Sequence, residues 1–208
     1  MNELLVNNQL KPNGITDPGV IQAFAKVNLE IFVPEHLRSV CYTDEAIYVK
    51  SDRYILPAFV LAKMLQAADI KSDDRVLDIG FATGYSAAVL LNLSLHYVGV
   101  DDDKDFVELA KANIETIEAH CDSLTVGYID KAPYDVILIN GAVSCIPDGL
   151  LGQLAQGGRL ITIVKHNAFM GVATLFLKEN SKISQLPLFD VNVPVLEAFK
   201  KPLGFKFF

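Results

Sequence analysis

Between residues 75 and 164 the chain alternates short, almost continuously apolar runs with amphipathic stretches. No other feature of the sequence constrains the fold as much. The apolar runs are Arg75–Ile79, His96–Val100, a weaker one at Leu124–Val126, Val136–Ile139 within Tyr134–Asn140, and Leu160–Val164. Strands without polar/apolar alternation are buried on both faces, as in a parallel sheet covered by helices. Helices are expected between them at Tyr85–Leu93, at Asp103–Ala119 with Phe106, Leu109, Ala110 and Ile114 on one face, and at Pro147–Gln156, where Gly157-Gly158 ends the run. The expected fold is α/β: a Rossmann-like, doubly wound, mostly parallel sheet with helices on both faces, preceded by an N-terminal helical extension and followed by C-terminal antiparallel strands.

The flanks supply those additions. Asp17-Pro18 reads as a cap and first-turn proline opening a helix to about Val27, and a short helix is expected from Pro34. Ala58–Ala68 carries a helical apolar stripe. Thr174–Leu177 and Ile183–Phe189, either side of Glu179-Asn180-Ser181, read as an antiparallel hairpin, and Phe205–Phe208 as an edge strand. No internal repeat or low-complexity linker divides the chain. Residues 1–208 are therefore taken as a single domain, with an extension at 1–57, a core at 58–165 and C-terminal strands at 166–208.

Composition excludes several classes. With 51% apolar and 21% charged residues the chain is globular, not disordered. Its net charge of −7, without a basic patch, argues against nucleic acid. The stretch from 87 to 100 is interrupted by Asn92, Ser94 and His96, so no membrane span is expected. The start MNELLVNNQLKP has no signal-peptide pattern. Three cysteines, Cys41, Cys121 and Cys145, without a C-x-x-C pair read as buried reduced thiols in a cytoplasmic protein. Four scattered histidines offer no metal set.

The informative turn is Asp78-Ile79-Gly80-Phe81-Ala82-Thr83-Gly84-Tyr85, between the first core strand and its helix. Small residues at 80, 82 and 84 let the backbone approach a ligand at the carboxyl edge of the sheet. A dinucleotide fingerprint would need glycine at 82 and a small residue at 85, and fails at Ala82 and Tyr85. The acid-x-G-x-G-x-G turn of S-adenosylmethionine-dependent methyltransferases fits better, with Asp78 as the acid. Asp101, at the end of the second strand, is placed to accept the ribose hydroxyls of either cofactor. Asp102 is a possible ribose neighbour, and Asn140-Gly141 lies at the same edge, either lining the cleft or forming a tight turn. The candidate cofactor residues are thus Asp78, Gly80, Ala82, Gly84, Tyr85, Asp101, Asp102, Asn140 and Gly141.

These residues resemble the protein-L-isoaspartate O-methyltransferase family. The resemblance is carried by Arg75–Gly80 with Gly84–Leu90, Asn8-Gln9-Leu10, Phe32-Val33-Pro34-Glu35, Tyr42-Thr43-Asp44, Ala132-Pro133-Tyr134-Asp135, and Gln153-Leu154 followed by Gly157-Gly158-Arg159-Leu160. It implies S-adenosyl-L-methionine as cofactor, a protein or peptide carboxylate (isoaspartyl in that family) as substrate, and a protein-repair role. Two departures stand out. The family's G-Q-T-I-S-x-P-like segment aligns with Asp52–Ala58, placing Leu56 where the substrate-positioning serine belongs, with Arg53 nearby as a possible substrate-orienting group. The 126–133 loop is also short, leaving Asp130 as the candidate replacement for an adenine-contacting acid. Two readings stay open: a methyltransferase of weak or lost repair activity, and a non-catalytic or cofactor-sensing binding module on the same fold. The oligomeric state is not legible.

Overall fold

The computed structural model describes residues 2–166 and 169–201. Its centre is a seven-stranded sheet of order β5-β4-β3-β6-β7-β8-β9. The strands are β3 (Arg75–Ile79), β4 (His96–Asp101), β5 (Ala119–Cys121), β6 (Tyr134–Val143), β7 (Leu154–Val164), β8 (Gly171–Glu179) and β9 (Lys182–Val191). Strands β3 to β7 pair in parallel, and β8 and β9 add antiparallel to β7. The expected mostly parallel sheet with C-terminal antiparallel strands is present. The order runs outward from β3 to β4 and β5, then resumes on the other side of β3 with β6. The carboxyl end of β3 is therefore the switch point, where open α/β sheets bind ligands.

Two further strands, β1 (Ile47–Lys50) and β2 (Arg53–Ile55), form a separate antiparallel ribbon. The helices are α1 (Glu3–Leu5), α2 (Pro18–Lys26), α3 (Ala58–Ala68), α4 (Tyr85–Leu90), α5 (Lys104–Asn113) and α6 (Asp148–Gly152). Local chemistry accounts for their ends. The Asp17 carboxylate accepts from the Val20 N–H at 2.8 Å to cap α2, and Asp103 caps α5 by accepting from Asp105 N–H at 3.0 Å. Helix α3 ends at Asp69 in the left-handed region. Arg159 then ties that end down, bonding Asp69 O at 2.8 Å and the Asp74 carboxylate at 2.6 Å. One apolar core runs from Leu5 to Phe199, with Phe81, Val107, Ala110 and Ala119 as a small separate cluster under α5. No helix among the described residues is long and apolar enough to cross a membrane.

Several expected boundaries move. The third strand is at Ala119–Cys121, not Leu124–Val126, because residues 119–121 pair with Gly99–Asp101 and Leu124 turns inward, buried. Helix α5 correspondingly stops at Asn113 rather than Ala119, and it buries Phe106, Val107 and Ala110 while Leu109 is exposed. Helix α4 closes at Leu90, short of Leu93. The helix expected over Pro147–Gln156 is α6 alone; β7 starts at Leu154, and Gly157-Gly158, with Gly157 at φ 77°, lie in an irregular stretch where pairing with β6 jumps from Leu154 to Arg159. The segment after Pro34 is a 3-10 turn, Glu35–Val40. The hairpin strands are longer than expected, and Phe205–Phe208 lies outside the described residues. Of the cysteines only Cys41 is buried; Cys121 and Cys145 are exposed.

Candidate active site

The turn after β3 has the shape its small residues require. Gly80, Ala82 and Gly84 all have positive φ, at 76°, 51° and 100°. At Gly84 two demands meet, since a Cβ would also stand 3.1 Å from that of Ala110 on α5. Ala82 adopts the left-handed region despite its side chain, and its N–H donates to the Asp101 Oδ2 at 2.9 Å. Gly80 N–H donates across to Val100 O at 2.8 Å, closing the turn onto β4.

Asp78 braces this turn from beneath. It is fully buried and accepts from the Ser86 hydroxyl at 2.8 Å, from the Tyr97 hydroxyl at 3.1 Å and from the Asn140 amide. Burial, against those three donors, pushes its pKa up to about 7. The Asn140 amide nitrogen is turned onto Asp78, while Asn140 also borders the small cavity beside the turn. Asn140 thereby ties β6 to β3 at the switch point.

Asp101 is where expectation and structure part. Its carboxylate, buried at the end of β4, is held by the Arg53 guanidinium through two parallel bonds, Nη1 to Oδ1 at 2.8 Å and Nη2 to Oδ2 at 2.5 Å. Backbone N–H groups of Ala82 and Asp103 take further positions on the same oxygens. Arg53 is itself only 5% exposed, reaches Asp102 Oδ1 at 2.8 Å, and lies 5.3 Å from the Phe106 ring centre. Burial opposes its charge, but Asp101 and Asp102 outweigh burial and leave its pKa raised. Burial pushes the Asp101 carboxyl up, against the pull of Arg53 and the two N–H donors. Arg53 is therefore not an open substrate-orienting group, as expected from sequence, but the partner of the acid assigned to the ribose.

The surrounding space is filled. The cavity bounded by Tyr54, Leu56, Gly80, Phe81, Tyr85 and Asn140 measures about 10 Å³. Leu56 is buried there. Tyr85 packs its ring between Phe24 and Phe32, with its hydroxyl buried and unbonded. Over Gly141 lie Leu196 and the Tyr54 hydroxyl, each within 2.8 Å of where a Cβ would be. That hydroxyl donates to Pro194 O at 2.5 Å and accepts from Ala142 N–H at 3.1 Å. Near Gly80 the nearest atoms come from Arg53, Leu196 and Leu124. Tyr54, Leu124 and Leu196 were not singled out from sequence, because apolar residues far apart in the chain carry no local sign that they converge. Asp130 lies at the opposite edge, in a hollow of about 470 Å³ beside Arg75, His96 and Tyr134 at the starts of their strands, so it is not an adenine contact. Among the described residues no group of three or more His, Cys, Asp or Glu could hold a metal.

The family model for protein-L-isoaspartate (D-aspartate) O-methyltransferases matches residues 1–197. The chain belongs to this family. It is 34% identical over 203 residues to the protein-L-isoaspartate O-methyltransferase of Methanoculleus marisnigri, covering 95% of this chain and 92% of that protein. It is 35% identical over 162 residues to that of Marinobacter nauticus, covering 76% and 74%. A solved protein-L-isoaspartate O-methyltransferase superposes with a TM-score of 0.79 at 26% identity, over 94% of this chain; the chain spans 65% of that one. A Plasmodium falciparum structure of the same description, in complex with S-adenosyl-L-homocysteine, superposes at 0.76 and 21% identity over 93% of this chain and 97% of that one, a likeness of fold. This is thus a member of an O-methyltransferase family on the methyltransferase fold. Its own residues meet the adenosyl group only halfway. The turn and Asp101 are in place, but Arg53 holds the carboxylate and, with Leu196 and Leu124, stands over Gly80, so an adenosyl group does not fit there as it stands.

Proposed function

We propose that this chain is an S-adenosyl-L-methionine-dependent O-methyltransferase acting on a carboxylate of a protein or peptide, of the isoaspartyl-repair type. The observation that carries the reading is the turn itself. Three positive-φ residues and a terminal strand acid stand at the switch point of the sheet, in a chain that matches the family from residue 1 to 197. The cofactor residues we assign are the backbone of Gly80, Ala82 and Gly84 together with Asp101. Asp78, Tyr85 and Asn140 hold these in place, Gly141 leaves room for Leu196, and Asp102 steadies Arg53. The whole chain is read as one domain acting in the cytoplasm.

The acceptor needs no general base, because a carboxylate is already ionised at neutral pH. Rate then depends on positioning, which in favourable cases supplies roughly 7–11 kcal/mol. Leu56, at the serine position, cannot hydrogen-bond an acceptor. Slow turnover is expected for that reason alone. Labelled methyl transfer from S-adenosylmethionine to an isoaspartyl peptide tests the reading. Incorporation above a peptide-free control is expected, and none at saturating donor and peptide would overturn it.

The filled hollow favours a second reading, a binding module that has kept the fold and given up turnover. Its mark would be S-adenosylhomocysteine binding, or a protein partner, without any methyl transfer.

A further inference from the structure

We propose that Arg53 decides donor affinity in this chain: its guanidinium stands where the donor ribose would meet Asp101, so an adenosyl ligand binds only by expelling it. The inference rests on the reading that the donor binds at this turn.

Four observations converge. The guanidinium and carboxylate meet fork to fork, the strongest arrangement for this pair, and both are nearly excluded from water. Every acceptor position on Asp101 that a diol could use is already bonded, two by Arg53 and two by backbone N–H groups. The Arg53 Nη2 lies 3.6 Å from where a Gly80 Cβ would be, directly over the turn. Leu196 and Leu124 stand beside it, 3.7 and 3.8 Å from the same point, so side chains occupy the space over Gly80.

The anchor is built in from three sides. Asp102 takes a second bond from Nη1, the Phe106 ring faces the guanidinium, and β2 places Arg53 opposite Lys50 of β1 in the ribbon. Lys50 in turn pairs with Asp103 and Asp105 at the start of α5. The whole ribbon is thereby clamped to the acid run that follows β4. A ligand that displaced Arg53 would have to leave a buried cation somewhere else or swing the ribbon outward. Either route sets a large opposing term against binding.

Glutamine is the variant that removes the charge and keeps a polar side chain. Glutamine is shorter and neutral and cannot form the fork, so the two positions that Arg53 takes on Asp101 can be given up to a diol.

Calorimetric titration of the full chain with S-adenosyl-L-homocysteine tests the proposal, on wild type, Arg53→Gln and Leu196→Ala. We expect Arg53→Gln to bind at least thirtyfold tighter than wild type, and Leu196→Ala, which opens the roof but keeps the ion pair, to stay within threefold of wild type. Equal, tight binding by wild type and Arg53→Gln overturns the proposal and leaves the donor reading intact. Recovery of binding by Leu196→Ala alone also overturns it, because the roof would then be the barrier. Absence of binding in every variant, with cooperative unfolding retained, overturns both. If Arg53→Gln does not unfold cooperatively, Arg53→Lys carries the test. A single ammonium cannot form the fork, so a gain of about tenfold is expected, and no gain counts against the proposal.

Discussion

Two hollows lie along the carboxyl edge of the sheet, on either side of the wall made by Tyr54 and Pro194, and they differ sharply. The one beside the turn after β3 is about 10 Å³ and walled by Tyr54, Leu56, Phe81 and Tyr85. The other, bounded by Asp44, Tyr48, Pro57, Phe59, Lys165 and Pro194, is about 730 Å³ and open. The ribbon contributes to both, with Tyr54 and Ile55 in the first and Tyr48 in the second. In the closed hollow the ribbon contributes Tyr54 and Ile55, both buried, and next to it Arg53 finds a buried acid. In the open one it contributes exposed groups such as Tyr48, which leave water in place. Over the turn, the Arg53–Asp101 pair together with Leu196 and Leu124 makes core, where the other side of the wall leaves a cleft.

The largest effect expected from breaking this contrast is on stability. Asp101→Ala strands the Arg53 charge in the interior, and loss of one partner of a buried pair costs about 3–5 kcal/mol. Urea unfolding should show it as a large fall in midpoint. A change below 1 kcal/mol would mean that the hollow is wetter than its geometry indicates.

The next effect is pH-dependent and belongs to Asp78. Its folded pKa lies near 7, above the ordinary carboxylate value. Between about pH 4 and 7 the folded state therefore holds a proton that the unfolded chain releases. Stability from this group is full below that window and is lost as pH rises through it, by up to about 4 kcal/mol. Asp78→Asn should flatten the difference between urea midpoints measured at pH 5 and pH 8. An unchanged slope would assign the titration elsewhere.

Leu56→Ser comes third. It removes a buried side chain, costing roughly 2–4 kcal/mol by analogy with other large-to-small core changes. With Arg53 still in place, methylation of an isoaspartyl peptide should not rise, whereas Leu56→Ser combined with Arg53→Gln should raise it. A rise in the single variant would show that the hydroxyl, not the ion pair, limits turnover. The smallest effect is expected in the open hollow, where Glu45→Ala at an exposed position should shift stability by no more than about 0.5 kcal/mol.

Much of the frame was legible in the sequence, for identifiable reasons. Strands β3 and β6 are buried on both faces and so carry unbroken apolar runs. Their register, Val76 with Val136 through Ile79 with Ile139, follows from those runs. The turn at 80–84 was legible because positive φ demands small residues. The strand at 119–121 was not, since Ala-His-Cys is short and half polar, and only its pairing with β4 makes it a strand. The partner of Asp101 was not legible either. Arg53 lies 48 residues away on a three-residue strand, and no periodicity marks a contact made across such a gap. Asp130 was misplaced for a related reason: loop length was visible, but not which end of the sheet the loop would reach.

The grip of Tyr54 on the Pro194 carbonyl joins positions 140 residues apart. On a ribosome, where chains emerge from the amino end, this edge of the protein must wait for residue 194 before it can be sealed. The strands beneath can assemble earlier, but the roof over Gly141 is fitted last, by Leu196. Nascent chains arrested short of that residue should expose the apolar side chains the roof covers, and so be marked for chaperones by a region that is shut in the finished molecule.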